Sequence, residues 1–293
     1  MKLASYLRDD QPRSGVLRLA ESGAVEVVDV CDHAPDLPNS VKRLLEAGLE
    51  ALQRADAATR LANGVDMTHV QLLPPVVDPQ KILCVGLNYA DHAAETGAQV
   101  GDEPVIFNKF PTCLRGVDQA IELPPESAEV DYEAELVVVI GRRARRVPRS
   151  TALQYVAGYA CGHDVSARDW QKGKPGKQWL LGKSFDSFAP LGPWLATADE
   201  IADPHQLDIQ LRLNGQVMQS SNTRQLIFGV DYLVSYLSHV CTLLPGDLIY
   251  TGTPPGVGMA RQPPVFLQPG DIVEVSIPGL GTLRNPVVAG GER

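Results

Sequence analysis

The chain has 293 residues, of which 44% are hydrophobic, enough to bury one large domain or a large domain beside a small one. A formal net charge of -9 argues against a nucleic-acid-binding surface, and no apolar run approaches the ~18 residues of a membrane-spanning helix. The first residues lack the apolar core of a secretory signal and the five cysteines form no C-x-x-C pair, so we expect a cytoplasmic protein with reduced thiols.

The first part of the chain predicts a small α/β domain. Strands are predicted at 16–19 and 25–30, because each is an apolar run bounded by turn residues, and together they form a hairpin. A helix is predicted at 41–58, where leucines recur with helical spacing after a serine that can cap the first turn. A proline pair then interrupts regular structure. We therefore divide the chain into a small N-terminal domain, 1–75, and a larger domain, 76–293.

Strand signals dominate the larger domain. Short apolar or alternating runs recur between glycine-containing turns, while helical spacing is confined to a few segments. The predicted strands are 82–85, 135–140, 207–213, 217–218, 247–251 and 271–277, with a last short strand after 281, and the predicted helices are 91–98, 150–156 and 229–240. The predicted fold class is therefore α+β and strand-rich, with a mixed core and few helices.

A histidine and a glutamate share one face of the predicted helix 91–98. His92 and Glu95 are three residues apart, so their side chains are neighbours on a helix. A carboxylate that pairs with an imidazole orients the ring and raises its basicity, which suits a general base that activates water. The small residues that follow are typical of a mobile lid. The alternative is a surface helix with an ordinary ion pair.

Two glutamates precede the apolar run 136–140. Alternation along a strand places Glu133 and Glu135 on the same face, where their charges repel each other. A divalent cation would offset that repulsion, and Asp164, which follows another apolar stretch, is the best third ligand. Three oxygen ligands favour Mg²⁺, Mn²⁺ or Ca²⁺ over Zn²⁺. The alternative is that both glutamates lie on the solvated face of an edge strand.

Two lysines in apolar surroundings need anionic partners. Lys109 and Lys183 could each hold a substrate carboxylate or a ligand carboxylate, although a lone lysine of this kind usually extends its charge to solvent. The residues around Lys183 do not form a phosphate loop, because Lys177 occupies the position where that motif requires glycine. The segment 251–258 could bind a carboxylate through backbone N–H groups and threonine hydroxyls, or form an ordinary turn.

Seven groups of residues follow one another in a recognisable order. They are Gly86-Leu87-Asn88-Tyr89 with His92 and Glu95, Phe107-Asn108-Lys109, Asp131-Tyr132-Glu133-Ala134-Glu135, Asp164-Val165-Ser166-Ala167-Arg168-Asp169 with Gln171, Gly182-Lys183-Ser184-Phe185-Asp186, Asn222-Thr223, and Thr251-Gly252-Thr253-Pro254 with Gly256-Val257-Gly258. Together they resemble the fumarylacetoacetate hydrolase family across about 80 to 288. The resemblance is closest to short bacterial members such as acylpyruvases, 2,4-diketo acid hydrolases and 2-hydroxyhepta-2,4-diene-1,7-dioate isomerases.

The resemblance implies a fold, a cofactor and residue roles. It implies a mixed β-roll catalytic core, a homodimer, and Mg²⁺ or Mn²⁺ as the cofactor, with Ca²⁺ as a substitute in crystals. The implied roles are metal binding by Glu133, Glu135 and Asp164, catalysis by His92, Glu95 and Lys183, and substrate binding by Lys109, Gln171 and Thr253.

The chemistry expected from these parts is hydrolysis of a C–C bond in a 2,4-diketo acid or acylpyruvate. The metal would polarise the C1 carboxylate and C2 oxygen and stabilise the enolate that forms on cleavage. Lys183 would offset negative charge, and His92, oriented by Glu95, would take a proton from water. The alternative is a decarboxylase of oxaloacetate or an isomerase of a 2-hydroxymuconate-type acid, and a third class is a non-catalytic metal-binding scaffold. The expected partner is a small keto acid, with no nucleic acid and no membrane.

Overall fold

A computed structural model describes residues 1–20, 22–97 and 99–291. Its first 75 residues contain five strands and three helices. These are β1 (Lys2–Arg8), β2 (Gln11–Leu19), β3 (Val25–Asp29), α1 (Val30–His33), α2 (Val41–Ala47), α3 (Leu49–Thr59), β4 (Val65–Asp66) and β5 (Gln71–Leu73).

Strands also predominate in the rest of the described chain. The strands are β6 (Ile82–Gly86), β7 (Val105–Lys109), β8 (Leu114–Arg115), β9 (Ile121–Leu123), β10 (Val130–Asp131), β11 (Ala134–Ile140), β12 (Val156–His163), β13 (Ser166–Ala167), β14 (Ala189–Thr197), β15 (Asp208–Leu213), β16 (Gln216–Asn222), β17 (Leu248–Tyr250), β18 (Ile272–Ile277) and β19 (Gly281–Ala289). The helices are α4 (Ala90–Thr96), α5 (Arg168–Gly173), α6 (Trp179–Gly182) and α7 (Val230–Val240).

Two mixed sheets contain most strands of the described residues, and β10 pairs with β13 in a separate two-stranded sheet. The larger has the order β4-β3-β2-β1-β14-β12-β11-β17-β6-β7, with β5 beside β1 and β8 beside β14, and the smaller has the order β16-β15-β18-β19-β9. Most neighbours are antiparallel, whereas β6 with β17, β8 with β14 and β9 with β19 are parallel. The predicted strand-rich α+β fold is therefore confirmed.

Strand β11 lies at the centre of the core and is buried on both faces. Leu136 and Val138 belong to the apolar cluster that includes the β18 residue Val275 from the smaller sheet. Val137 and Val139 point the opposite way, into a cluster with residues of α2 and α3. Burial on both sides explains why this strand is a continuous apolar run, and it makes β11 a rigid support for the residues at its ends.

The N-terminal part departs from the prediction in one helix and in its connection to the rest. The predicted helix 41–58 is interrupted at Gly48, whose φ of +85° ends α2 before α3 begins. Strand β1 pairs with β14, so the larger sheet runs without a break across the division at residue 75. Independent folding of residues 1–75 stays a prediction. No helix in the described ranges is long and apolar enough to cross a membrane.

Candidate active site

Three carboxylates converge where β11 and β12 meet. Ala134 at the start of β11 lies opposite His163 at the end of β12, and the pairing continues through a 2.9 Å hydrogen bond from the Asp164 N–H to the Glu133 carbonyl. Glu133 therefore precedes the strand rather than lying within it, and Glu135 follows two residues later on the same side. One oxygen from each of Glu133, Glu135 and Asp164 lies within 4.8 Å of the others.

The donor set fits a hard divalent cation. All three carboxylates are buried, and Asp164 Oδ1 accepts no hydrogen bond. Lys109 Nζ lies 2.6 Å from that oxygen, but its hydrogens are directed to the backbone carbonyl oxygens of Val165, Lys183 and Phe188. A buried oxygen without a donor, beside two further carboxylates, is a suitable ligand for Mg²⁺ or Mn²⁺.

The surroundings shift the two glutamates in opposite directions. Burial alone would raise the pKa of Glu133, but the charges of Lys183 and Arg168 outweigh it and lower the pKa to about 2. Burial raises the pKa of Glu135 well above its usual value, and the charges of Asp164 and Glu133 raise it further. Ionised Glu135 is therefore electrostatically unfavourable in this site, and a bound cation would stabilise it.

Lys183 joins two of these carboxylates. Its Nζ lies 2.8 Å from Glu133 Oε2 and 2.8 Å from Asp164 Oδ2, above the ring of Phe107. Burial would lower the pKa of Lys183, but the charges of Asp164 and Glu133 raise it overall, so the side chain remains an ammonium group. Lys183 directly follows α6, and its ammonium group lies at the carboxylate cluster.

Arg168, part of a family motif but not a predicted site residue, holds a second buried charge network. It begins α5 and contacts Asp131 Oδ2 at 2.8 Å, Glu133 Oε1 at 2.6 Å and Gln171 Oε1 at 2.9 Å. Asp131 is fully buried and also accepts the N–H of Gly258. Both residues lie among other charged residues in the sequence, so no local pattern marked them as a pair. Arg168 thus fixes both a candidate metal ligand and the side chain of Gln171.

Thr253 is hydrogen-bonded to Gln219, which was not predicted as a site residue. The Thr253 hydroxyl donates to the Ala134 carbonyl at 2.9 Å and accepts from Gln219 Nε2 at 2.9 Å. The Gln219 Oε1 atom accepts the N–H of Ala134 at 2.8 Å, so one amide connects Thr253 to β11. Because the hydroxyl hydrogen is already donated to the backbone, Thr253 offers the site an oxygen lone pair or its N–H.

The short helix α4 places His92 and Glu95 over the same region. His92 Nδ1 lies 3.0 Å from Glu95 Oε2, and the Glu95 carboxylate accepts the Gly256 N–H at 3.0 and 3.2 Å. At the other end of the helix, Asp91 Oδ2 accepts the hydroxyl of Ser221. The predicted helix 91–98 is thus observed as Ala90–Thr96, while residue 98 lies outside the described residues.

A cavity of about 590 Å³ connects these groups. Among the predicted site residues, those that line it are His92, Glu95, Glu133, Gln171, Lys183 and Thr253, and Arg168 and Trp179 complete its wall. A second cavity of about 580 Å³ lies beside α3, but in the described ranges the cluster of three metal-ligating groups adjoins only the first. We therefore assign the chemistry to the first cavity.

Lys109 lies behind the carboxylate cluster. The family resemblance implied that it binds substrate, whereas in the structure it is not part of the cavity wall and is 1% exposed. Its ammonium group lies behind Asp164 and is saturated by three carbonyl oxygens. A lysine in this position balances the charge of a candidate ligand, and its contact with substrate stays a prediction.

Comparisons with known sequences identify a family and its relatives. The family described as Fumarylacetoacetate (FAA) hydrolase C-terminal matches residues 81–288. The oxaloacetate tautomerase fahd2, mitochondrial, of Xenopus laevis is 46% identical over 290 residues, covering 98% of this chain and 90% of the relative. The oxaloacetate tautomerase FAHD2A, mitochondrial, of Bos taurus is 51% identical over 265 residues, covering 89% of this chain and 84% of the relative.

Solved structures of similar chains share the whole fold. A putative HpcE protein from Mycobacterium smegmatis has a TM-score of 0.86 at 37% identity, covering 99% of this chain and 100% of that chain. Maleylpyruvate hydrolase from Sphingobium sp. SYK-6, in complex with manganese (II) ion and pyruvate, has a TM-score of 0.81 at 33% identity, with the same coverage.

These relatives correct one expectation. The prediction of a cytoplasmic protein is contradicted, because both tautomerases are named as mitochondrial. The prediction relied on the lack of an apolar secretory core at the N-terminus. Mitochondrial transit segments are amphipathic and arginine-rich rather than apolar, so that criterion could not distinguish the two locations.

Proposed function

Because the chain belongs to the fumarylacetoacetate hydrolase family, we propose that it is a divalent-metal-dependent enzyme that interconverts the keto and enol forms of oxaloacetate. The observation that carries the proposal is the convergence of Glu133, Glu135 and Asp164 beside a cavity that His92 also lines. The names of the two tautomerase relatives support this reaction over the hydrolysis that the motifs first suggested. We also propose that the enzyme is a homodimer.

The carboxylate cluster and Lys183 would stabilise the charge that develops on the substrate. Held by Glu133, Glu135 and Asp164, Mg²⁺ or Mn²⁺ would act as a Lewis acid on the substrate's 2-oxo acid oxygens. Lys183 remains protonated between two of the carboxylates, and it offers positive charge where the C2 oxygen becomes negative. The Arg168 network keeps Glu133 ionised and in place.

His92 would move the proton. Its Nδ1 faces Glu95, so in the neutral ring with hydrogen on Nδ1 the lone pair is on Nε2. Nε2 would take a proton from C3 of the keto acid and then deliver a proton to the C2 oxygen, so the ring returns to its neutral form and no other reactant is consumed. The hydrogen bond from Gly256 to Glu95 holds this pair over the cavity.

Hydrolysis of a C–C bond is the second candidate. The His92–Glu95 pair could also activate water, and the similar Sphingobium structure is a maleylpyruvate hydrolase. Decarboxylation of oxaloacetate or isomerisation of a 2-hydroxymuconate-type acid would use the same groups without water. Product analysis separates these reactions.

Enzyme assays with and without metal test the proposal. With Mg²⁺ or Mn²⁺, the protein should accelerate loss of the ultraviolet absorbance of enol-oxaloacetate, and a chelator should abolish that acceleration. Acetylpyruvate and fumarylpyruvate should release no pyruvate. Pyruvate release without accelerated tautomerisation would replace the proposal with hydrolysis.

Two variants connect the activity to the residues. Glu135→Ala should weaken Mg²⁺ binding by calorimetry and lose activity, whereas Glu50→Ala, an exposed glutamate of α3, should change neither. His92→Ala should lower the rate by about 10²- to 10⁴-fold while Mg²⁺ affinity is retained. Full activity of His92→Ala would remove His92 as the proton carrier.

A further inference from the structure

The buried charges around the carboxylate cluster nearly balance. Among the described residues here, four buried carboxylates (Asp131, Glu133, Glu135, Asp164) face three buried cations (Lys109, Arg168, Lys183). If all seven groups are ionised, the four carboxylates and three cations have a net charge of one negative unit. A bound divalent cation would change this net charge to one positive unit. A single substrate carboxylate would neutralise that charge. A second carboxylate, such as oxaloacetate has, requires another cation.

Lys172 is a cation in the cavity wall without a carboxylate partner. It follows Gln171 on α5, and its Nζ contacts Met259 Sδ at 3.3 Å, another residue that lines the cavity. No carboxylate in the described ranges lies within ion-pair distance of Lys172. Lys172 is exposed although it lines the cavity, so its ammonium group can meet an anionic ligand there. Partial burial and the charge of Arg168 lower its pKa, while the charges of Glu133 and Asp131 offset part of that change.

The helix places Lys172 close to the reaction. Arg168 and Lys172 are four residues apart on α5, so they lie on the same face, one turn of about 5.4 Å apart. Arg168 contacts Glu133, so Lys172 lies one helical turn from a candidate metal ligand. The next lysine on this segment, Lys174, lies over the ring of Trp170 and does not line the cavity.

We propose that Lys172 binds the second carboxylate of the substrate, so that the site selects 2-oxo dicarboxylates over 2-oxo monocarboxylates. This inference rests on the proposed function and narrows its substrate class. Lys172 is a specificity-determining residue in this scheme, and the proton transfer at His92 does not require it.

Binding of a matched pair of ligands tests the inference. Oxaloacetate and 2-oxobutyrate differ in that a methyl group replaces the second carboxylate. Calorimetry with Mg²⁺-loaded protein should show that Lys172→Met weakens oxaloacetate binding by about five- to tenfold and 2-oxobutyrate binding by less than about twofold. Lys172→Arg should retain most of the preference. Lys174→Met, the matched control, should bind both ligands as the unmodified chain does.

The outcomes distinguish this inference from the proposed function. Equal effects of Lys172→Met on both ligands, or no effect on either, would overturn the role of Lys172. The unmodified protein could bind oxaloacetate more tightly than 2-oxobutyrate, and lose this preference in Lys172→Met, without accelerating tautomerisation. That result would contradict the proposed reaction but support Lys172 as the site of the second carboxylate. Thermal unfolding of each variant checks that the fold is intact, and Lys172→Gln provides a second neutral substitution.

Discussion

Lys109 illustrates, at the scale of one residue, how a side chain can support a site that it does not line. It supplies positive charge 2.6 Å from Asp164 while its hydrogens are directed to backbone carbonyls. Asp164 Oδ1 is therefore neutralised but keeps its lone pairs for a cation. Arg168, which does line the cavity, also supports the site, because it holds Glu133 through one nitrogen and Asp131 through another.

Replacing Lys109 should destabilise the fold. Lys109→Met removes one of the two cations beside the buried Asp164, leaving only Lys183, and leaves three carbonyl oxygens without their donor. We expect the free energy of unfolding to fall by about 3–5 kcal/mol without metal, measured by denaturant titration. Saturating Mg²⁺ should recover part of this loss. Lys174→Met is the control, and an unchanged free energy of unfolding for Lys109→Met would contradict the assigned role.

Helix α4 is the element that brings the proton carrier to the cavity. It has seven residues, too few to be stable alone, and hydrogen bonds attach both of its ends to the core. Asp91 contacts Ser221 of β16, and Glu95 contacts Gly256 in the segment after β17. The position of His92 therefore depends on two distant segments of the chain.

Removing one attachment should loosen α4 without changing the catalytic groups. Ser221→Ala deletes the donor to Asp91, so we expect faster hydrogen exchange of amides in Ala90–Thr96 and a three- to tenfold lower kcat/KM, about 1 kcal/mol. Mg²⁺ affinity should not change. Ser220→Ala, an exposed neighbour on the same strand, is the control. Unaltered exchange in Ser221→Ala would show that the Glu95 attachment suffices.

At the scale of the whole molecule, the N-terminal part and the site share one sheet. β1 pairs with β14, β14 with β12, and β12 with β11, whose first residues adjoin the carboxylate cluster. The apolar cluster on one face of β11 contains Val137 and Val139 together with Leu44 and Leu45 of α2. The N-terminal part thus covers one side of the strand that supports the site.

Deleting residues 1–75 should therefore compromise the remainder. The deletion exposes the β14 edge and the apolar surface that α2 covers. We expect 76–293 to aggregate or to lose cooperative thermal unfolding, measured by circular dichroism and size-exclusion chromatography against the full chain. Cooperative unfolding of a soluble 76–293 would instead establish two independent domains.

Local sequence was sufficient to predict an element when the pattern of apolar residues within that one segment was clear. The strand 135–140 and the helix 229–240 were predicted correctly. Glu133 and Glu135 lie close together as expected, and metal binding by them stays a prediction. Strands β12 and β14 were not predicted, because their glycines, alanines and prolines have low strand propensity. Gly162 of β12 shows the reason, since a Cβ there would lie 2.3 Å from Val137 Cγ2. Packing against neighbouring strands, rather than propensity, selects that residue.

The fold class, the family resemblance and the residue types of the site could be predicted from sequence, because apolar periodicity and ordered motifs are local properties of the chain. Which charges meet depends on the three-dimensional fold. It separated Lys109 from the cavity, joined Arg168 to Asp131 and Glu133, and placed Lys172 in the wall without a carboxylate. The physical reason is that electrostatic interactions depend on distance and burial, and strand pairing across long stretches of sequence sets both.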